Sequence, residues 1–213
     1  SEFAGPVELV LPDALAAGWM GGRLSTFAAR HPDIDLTVRT ADHIPIFEPG
    51  AATAAIVLSD TPPDELVGRR LGTLAINGYR AESLPVGDTA QAPGPTPASA
   101  ERVIGPLATA LARAWIAAGR APAVEASLHC REIAAQVVAA RAGLGVAVLP
   151  CVVGDATPGL VRTEPARPLE AGGVWLLSHP DSRGIARLQA LLGFVQESWI
   201  TDRARLEGQA AEA

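Results

Sequence analysis

The chain has 213 residues, 48% of them hydrophobic, which is enough apolar material for one large domain or two small ones. A formal net charge of −6 argues against a phosphate-holding surface, because nucleic-acid binders carry a basic footprint. Cys130 and Cys151 make no disulfide framework, and no CxxC or Cys/His cluster has metal-ligand spacing, so a reducing compartment is expected, with no metal and no cofactor.

No apolar run approaches a membrane span, and the first residues lack the basic and apolar regions of a signal peptide. A cytoplasmic protein without membrane contact is the expectation. Ser1-Glu2-Phe3 resembles a cloning remnant, and residues 1–5 are kept out of the fold argument as a remnant or linker.

Val7 to Leu11 reads as a compact apolar strand ended by Pro12, and Asp13 is placed to cap the helix that follows. On that helix Met20, Leu24 and Phe27 recur at i, i+4 and i+7, flanked by Leu15 and Trp19. Gly18, Gly21 and Gly22 each cost up to about 1 kcal/mol in a helix interior, so they point to close backbone packing or to a fraying first half. Beyond His31-Pro32-Asp33, Ile34, Leu36 and Val38 alternate as in a half-buried strand. The two prolines of HIPIFEPG exclude a long helix, and Ala54 to Leu58 is the third strand. Strand, helix, strand, short crossover, strand makes one parallel βαβ half.

After the turn Thr61-Pro62-Pro63-Asp64, Leu71 to Ile76 can form another strand, and residues 85–100 read as a surface loop rich in Pro, Gly, Ala, Ser and Thr. Arg102 to Ile104 is a short strand stopped by Gly105-Pro106, Leu107 to Ala118 a helix, and Ala123 to Leu128 a strand. The segment REIAAQVVAARAGLGVAVLP is the organising piece of this half. Ile133, Val137, Ala140 and Leu144 recur at i, i+4, i+7 and i+11 on a helix beginning near Arg131, Gly143 supplies a left-handed closing residue, and Leu144 to Leu149 is a strand buried on both faces. Turn-rich sequence follows through Gly173, then the strand VWLLS. Asp181 or Ser182 should cap a last helix with the stripe Ile185, Leu188, Leu192, Val195 and Trp199, and Arg203 to Ala213 should fray.

Taken in order, VELVLPDAL, FAARHPDIDLTV, GAATAAIVLSD, ARAGLGVAVLP and VWLLSHP with the final helix resemble the effector-binding domain of LysR-type transcriptional regulators, from about Pro6 to about Trp199. The resemblance implies an α/β fold of two parallel-sheet subdomains with a cleft between them, similar to type 2 periplasmic binding proteins. It places the crossings near Asn77-Gly78 and Trp175-Leu176. Residues 6–77 and 177–200 would then form subdomain I, 78–176 subdomain II, and 201–213 a C-terminal tail. It also implies a small-molecule effector and pairing into homodimers or homotetramers through Leu15 to Arg30 and Arg131 to Ala142. Promoter DNA would be touched only by a separate N-terminal winged helix-turn-helix, of which no basic recognition helix is seen before Val7.

Ligands of open α/β sheets lie beyond the carboxyl ends of the strands. That rule selects Asp13, Ala14, Asp42, His43, Ser59, Asp60, Gly105, Pro106, His129, Arg131, Glu132 and Ile133 as effector contacts. Several have plain structural readings beside this one: Asp13 as a cap, Arg131 and Glu132 as a solvated pair, His43 and His129 as surface histidines. Arg131 and Glu132 are expected in the first helical turn, where the helix dipole favours an anion, and Cys130 sits where its thiol pKa could be lowered. In the family a Ser or Thr usually stands where this chain has Ala14, and its hydroxyl meets an effector carboxylate. Two like charges about 4 Å apart repel by roughly 4 kcal/mol at an effective dielectric of 20, so Asp13 also opposes a bare carboxylate.

No nucleophile elbow, phosphate loop or acid/base carboxylate pair supports an enzyme. The alternative is a solute-binding protein of a transport system, which shares the fold. The HPDIDL and AGLGVAVLP spacings favour the regulator.

Overall fold

A computed structural model describes residues 3–83, 103–105, 110–120, 125–163 and 168–209. The expected loop at 85–100 lies outside them, as do Arg102, Pro106, Leu107, Pro122, Ala123 and the last four residues of the tail. The chain forms two compact units, one from the segment ending at Leu74 together with the segment from Gly172 onward, the other from Ala75–Ala171. The divisions fall inside two long strands, β4 (Val67–Ala81) and β9 (Leu169–Ser178).

In the first unit, β1 (Gly5–Leu11) pairs in parallel with β2 (Ile34–Thr40) on one side and with β3 (Thr53–Leu58) on the other. This is the βαβ arrangement expected from the sequence. β9 then pairs antiparallel with β3, from Leu58↔Val174 to Ala54↔Ser178. β1 and β3 are central and their apolar residues are buried, whereas the edge strand β2 leaves Val38 exposed. One face of the sheet holds Val10, Ala55, Val57 and Leu177 under Ile44, Phe47, Leu66 and Trp175.

The helix after β1 has a defect in it. α1 (Asp13–Leu15) passes through a π-helical turn, Ala16–Met20, into α2 (Gly21–Arg30). Gly21 belongs to that turn, since a Cβ there would stand 2.9 Å from the Ala16 carbonyl oxygen; Gly22 faces open space. Leu15, Trp19, Met20 and Phe27 are buried, while Leu24 is only half-buried. Asp13 is not the cap. The cap position is Pro12, and Asp13 is the first helical residue.

The last helix, α6 (Ala186–Leu206), is likewise not capped by Asp181 or Ser182. Those residues form a short 3-10 turn capped by His179, whose Nδ1 accepts from the Asp181 amide, and Ser182 donates to the Ala51 carbonyl at 2.6 Å. The buried face of α6 is Leu188, Leu191, Phe194, Val195, Ser198, Trp199, Asp202 and Leu206. The helix therefore continues past the point where fraying was expected, because Asp202 and Leu206 have partners in the core. Trp19 packs edge-on against Trp199 with ring centroids 5.4 Å apart, and Phe27 meets Phe194 at 5.2 Å.

In the second unit, β5 (Val103–Gly105) pairs in parallel with β6 (Glu125–His129), and Val103 bridges in parallel to Val146 beside β7 (Ala147–Pro150). β4 pairs antiparallel with β7, Ile76↔Pro150 to Tyr79↔Ala147, and with β8 (Leu160–Arg162). Ile76, Val103, Ala112, Trp115 and Val148 form the core beneath α3 (Ala110–Ala117). The stretch after Pro150 is more ordered than its turn-rich sequence implies: α5 (Cys151–Gly154), β8 and the early start of β9 all lie within it.

α4 (Ile133–Arg141) begins two residues later than expected, so Arg131 and Glu132 precede it, Glu132 as the cap residue. Its buried face is Ile133, Gln136, Ala139 and Ala140, while Val138 is 66% and Leu144 42% exposed. Leu144 escapes the helical stripe because the helix has already ended: Gly143 takes φ 76°, as its sequence position requires, and turns the chain.

Candidate functional site

In the first unit the candidate residues gather at one end of the parallel strands. Leu11 pairs with Thr40 at the ends of β1 and β2, and Val10 with Ala55 in β3, so the loops holding Asp13-Ala14, Asp42-His43 and Ser59-Asp60 leave the sheet along one edge. Ala14 is buried and Asp13 half-buried; Asp42, His43 and Asp60 are exposed.

Ser59 is committed to holding its own loop. Its amide donates to the Gly173 carbonyl at 2.9 Å, its carbonyl accepts from Trp175 Nε1 at 3.0 Å, and its hydroxyl donates to the Thr61 carbonyl at 2.8 Å. The hydroxyl oxygen retains acceptor capacity for a ligand donor. Beside it Gly172 has φ 134°, and a Cβ there would stand 3.6 Å from the Asp60 carboxylate. This edge carries the carboxylates of Asp13, Asp42 and Asp60, and Arg70 Nε lies close to Gly173 beside Ser59.

In the second unit Gly105 pairs directly with His129, so the ends of β5 and β6 lie side by side. Gly105 is buried, and its carbonyl accepts from the Cys130 amide at 2.9 Å. Pro106 lies outside the described residues. His129, Arg131 and Glu132 are exposed in the turn leading to α4, and Ile133 is buried at its start. Among the described residues no side chain engages the Arg131 guanidinium, so it is open to an anion.

Two residues that the strand-end rule did not select organise this turn and its counterpart. Gln136, 5% exposed on the inner face of α4, donates from Nε2 to the carbonyls of Cys130 and Arg131, both at 3.1 Å. Trp175 holds Ser59 in the same manner in the first unit. The available signal for Gln136 was a single amide among apolar residues three positions after Ile133.

The Cys130 thiol is shifted opposite to expectation. Partial burial raises its pKa and the Glu132 carboxylate raises it further; Cys130 stands two residues before the cap residue Glu132. An apolar groove runs along α4, lined by Leu128, Val138, Leu144 and the alanines of the helix, including the buried Ala139. No group of three or more His, Cys, Asp or Glu among the described residues could hold a metal ion. No helix among them is long and apolar enough to cross a membrane.

A family model described as the LysR substrate binding domain matches residues 1–200. The effector domain of the transcriptional regulator AmpR of Pseudomonas aeruginosa is similar over 95% of this chain and 100% of its own, with a TM-score of 0.70 and 24% identity. The regulatory domain of CrgA, a LysR-type transcriptional regulator from Neisseria meningitidis, gives a TM-score of 0.70 at 12% identity over 92% of this chain and 99% of its own. The AmpR effector binding domain from Citrobacter freundii gives 0.65 at 16% identity over 92% and 98%. No curated protein sequence matches.

Proposed function

Since the chain belongs to the LysR substrate binding domain family, we propose that it senses a small molecule of separated polarity, such as an amino acid or an aromatic acid with one donor group. The observation that carries this reading is the division of charge between the two sets of strand-end loops. Asp13 and Asp60 stand on one, and the open Arg131 guanidinium on the other. A carboxylate would pair with Arg131, and an ammonium or hydroxyl donor would meet the carboxylates of Asp13 and Asp60 and the acceptor side of Ser59. Ala14 supplies a buried methyl where a hydroxyl would favour a second carboxylate.

His43, Gly105, Pro106, His129, Glu132 and Ile133 complete the proposed contacts, with Gly105 and Ile133 shaping the floor of the loop. The family is regulatory, and no acid/base pair among the candidates supports catalysis, so we read the domain as a sensor and not as an enzyme or a transport protein. The acting regulator would be cytoplasmic, since its output is promoter DNA, reached through a winged helix-turn-helix and not through this acidic domain.

Self-association is part of the same reading. The apolar groove on α4, with Val138 and Leu144 exposed, supports pairing of α4 of one copy with α2 of another, where Gly21, Gly22, Ala28 and Ala29 are exposed small residues.

A thermal-shift screen of amino acids and substituted aromatic acids tests the ligand class. A ligand at a hundredfold over its dissociation constant stabilises by about 2.7 kcal/mol, a shift of several degrees. Arg131→Ala should abolish the shift and leave the unliganded melting point nearly unchanged, because an exposed arginine adds little to folding. Unaltered affinity in that variant would remove Arg131 from the site.

A further inference from the structure

We propose that Gln136 is a positioning residue that sets the backbone of the turn carrying Arg131 and Glu132. The inference rests on the reading of that turn as an effector contact, and adds a residue that itself touches no effector.

A glutamine on the inner face of an apolar helix is costly unless its amide is satisfied. Gln136 is 5% exposed, and both hydrogen bonds from its Nε2 go to the turn before the helix, to the carbonyls of Cys130 and Arg131 at 3.1 Å each. Those carbonyls lie upstream of the cap residue Glu132, whose own carbonyl accepts from the Gln136 amide at 3.1 Å. The helix supplies no backbone donor to them, so the side chain does. This differs from a capping box, in which a residue of the first turn accepts from the cap amide; here the side chain donates to carbonyls further back.

The Cys130 backbone is consequently held at both ends, its amide by the Gly105 carbonyl at 2.9 Å and its carbonyl by Gln136. With the carbonyls of Cys130 and Arg131 turned toward α4, the next two side chains, Arg131 and Glu132, emerge exposed from a fixed turn. A preorganised turn spares the effector the ordering of its own contact residues. An apolar residue would fill the same space but leave both carbonyls without a donor. That difference separates positioning from packing.

The test is amide hydrogen–deuterium exchange on the whole chain without effector, comparing wild type, Gln136→Met and Gln136→Glu. Gln136→Met keeps length and packing and loses both donors, and is expected to speed exchange at the Cys130 amide, held by the Gly105 carbonyl, by about tenfold. The amides of Ala147 to Leu149 in β7 should remain as protected as in wild type. Gln136→Glu donates once when protonated and not at all when ionised, so protection of the turn relative to wild type should rise as pH falls; relief of a merely buried carboxylate would raise protection in β7 as well, whereas a positioning role confines the recovery to the turn. If Gln136→Met folds poorly, the confinement of that pH response to the turn, with β7 unchanged, decides alone. Wild-type protection of the turn in Gln136→Met, or a uniform loss reaching β7, would overturn the proposal. Because no effector is present, this outcome is separate from that of Arg131→Ala. An intact turn effect with unaltered effector binding in Arg131→Ala would displace the site, not the role of Gln136 in shaping the turn.

Discussion

Tyr79 donates its hydroxyl hydrogen to Asp155 Oδ1 across 2.7 Å. The same carboxylate takes both arms of Arg162, Nε at 2.8 Å and Nη2 at 2.5 Å, and the buried Cys151 thiol lies against the phenol. Burial is the largest cause of a strong upward shift of the phenol pKa, with the neighbouring Cys151 and Asp155 adding to it.

Alkaline stability follows from that shift. Unfolded, the phenol ionises near its ordinary value of 10.0, while in the folded protein it stays protonated well above it. Its contribution is therefore intact below pH 10 and is lost progressively above it, as the unfolded chain releases a proton that the folded chain keeps. Cys151, raised chiefly by burial, adds a similar loss starting near the ordinary thiol value of 9.0. Tyr79 is the one tyrosine of the sequence, so tyrosinate absorbance reports it alone. The absorbance should rise only together with loss of the far-ultraviolet dichroism. Titration near pH 10 with the dichroism intact would contradict the burial argument.

Gly154→Ala should destabilise by about 1–3 kcal/mol, the usual cost of overpacking. A Cβ at Gly154 would overlap the Tyr79 ring. Alanine in a short helix is otherwise favoured over glycine by about 1 kcal/mol, so the sign of the change in urea midpoint is the test. A stabilised variant would mean that the ring moves aside freely.

Asp202→Ala should cost about 2–3 kcal/mol. Asp202 is buried on α6 and accepts from Trp19 Nε1 at 2.9 Å and from Arg23 Nε and Nη2 at 2.8 and 2.6 Å. Its loss leaves a buried indole donor unpaired, while Arg23, about one-third exposed, recovers part of its hydration. Asp202→Asn, which keeps an acceptor for Trp19, should cost less. Equal losses in the two variants, measured by denaturant midpoint, would assign the effect to Arg23 instead.

Under the proposed pairing, Val138→Glu should convert dimer to monomer without lowering the melting point. Val138 is 66% exposed in the apolar groove, so the charge remains hydrated in the monomer and is desolvated only at an interface. Sedimentation showing wild type already monomeric at high micromolar concentration would refute pairing through α4.

Duplex DNA should be bound no better than by a generic acidic protein, because the net charge is −6. Salt-sensitive micromolar binding to an operator-length duplex, followed by fluorescence anisotropy, would contradict this.

Where one physical signal decides an element, the sequence by itself determined it. Alternation and apolar runs located β1, β2 and β3, and their parallel pairing followed from the helical crossover between β1 and β2 and the short crossover from β2 to β3. Gly143 announced the end of α4, since few other residues accept its φ of 76°. The order of these segments carried the family resemblance, and strand ends carried the candidate loops. Tertiary structure alone decided which helix face is inward. On α4 the buried set includes Gln136 and omits Val138, because two carbonyls of the preceding turn satisfy an amide that periodicity scores as polar. It also moved the caps of α1 and α6, extended α6 through Asp202 to Leu206, and joined Tyr79 to Asp155 across 76 positions. Partners so distant in sequence leave no local pattern; only the folded chain brings a donor to its acceptor.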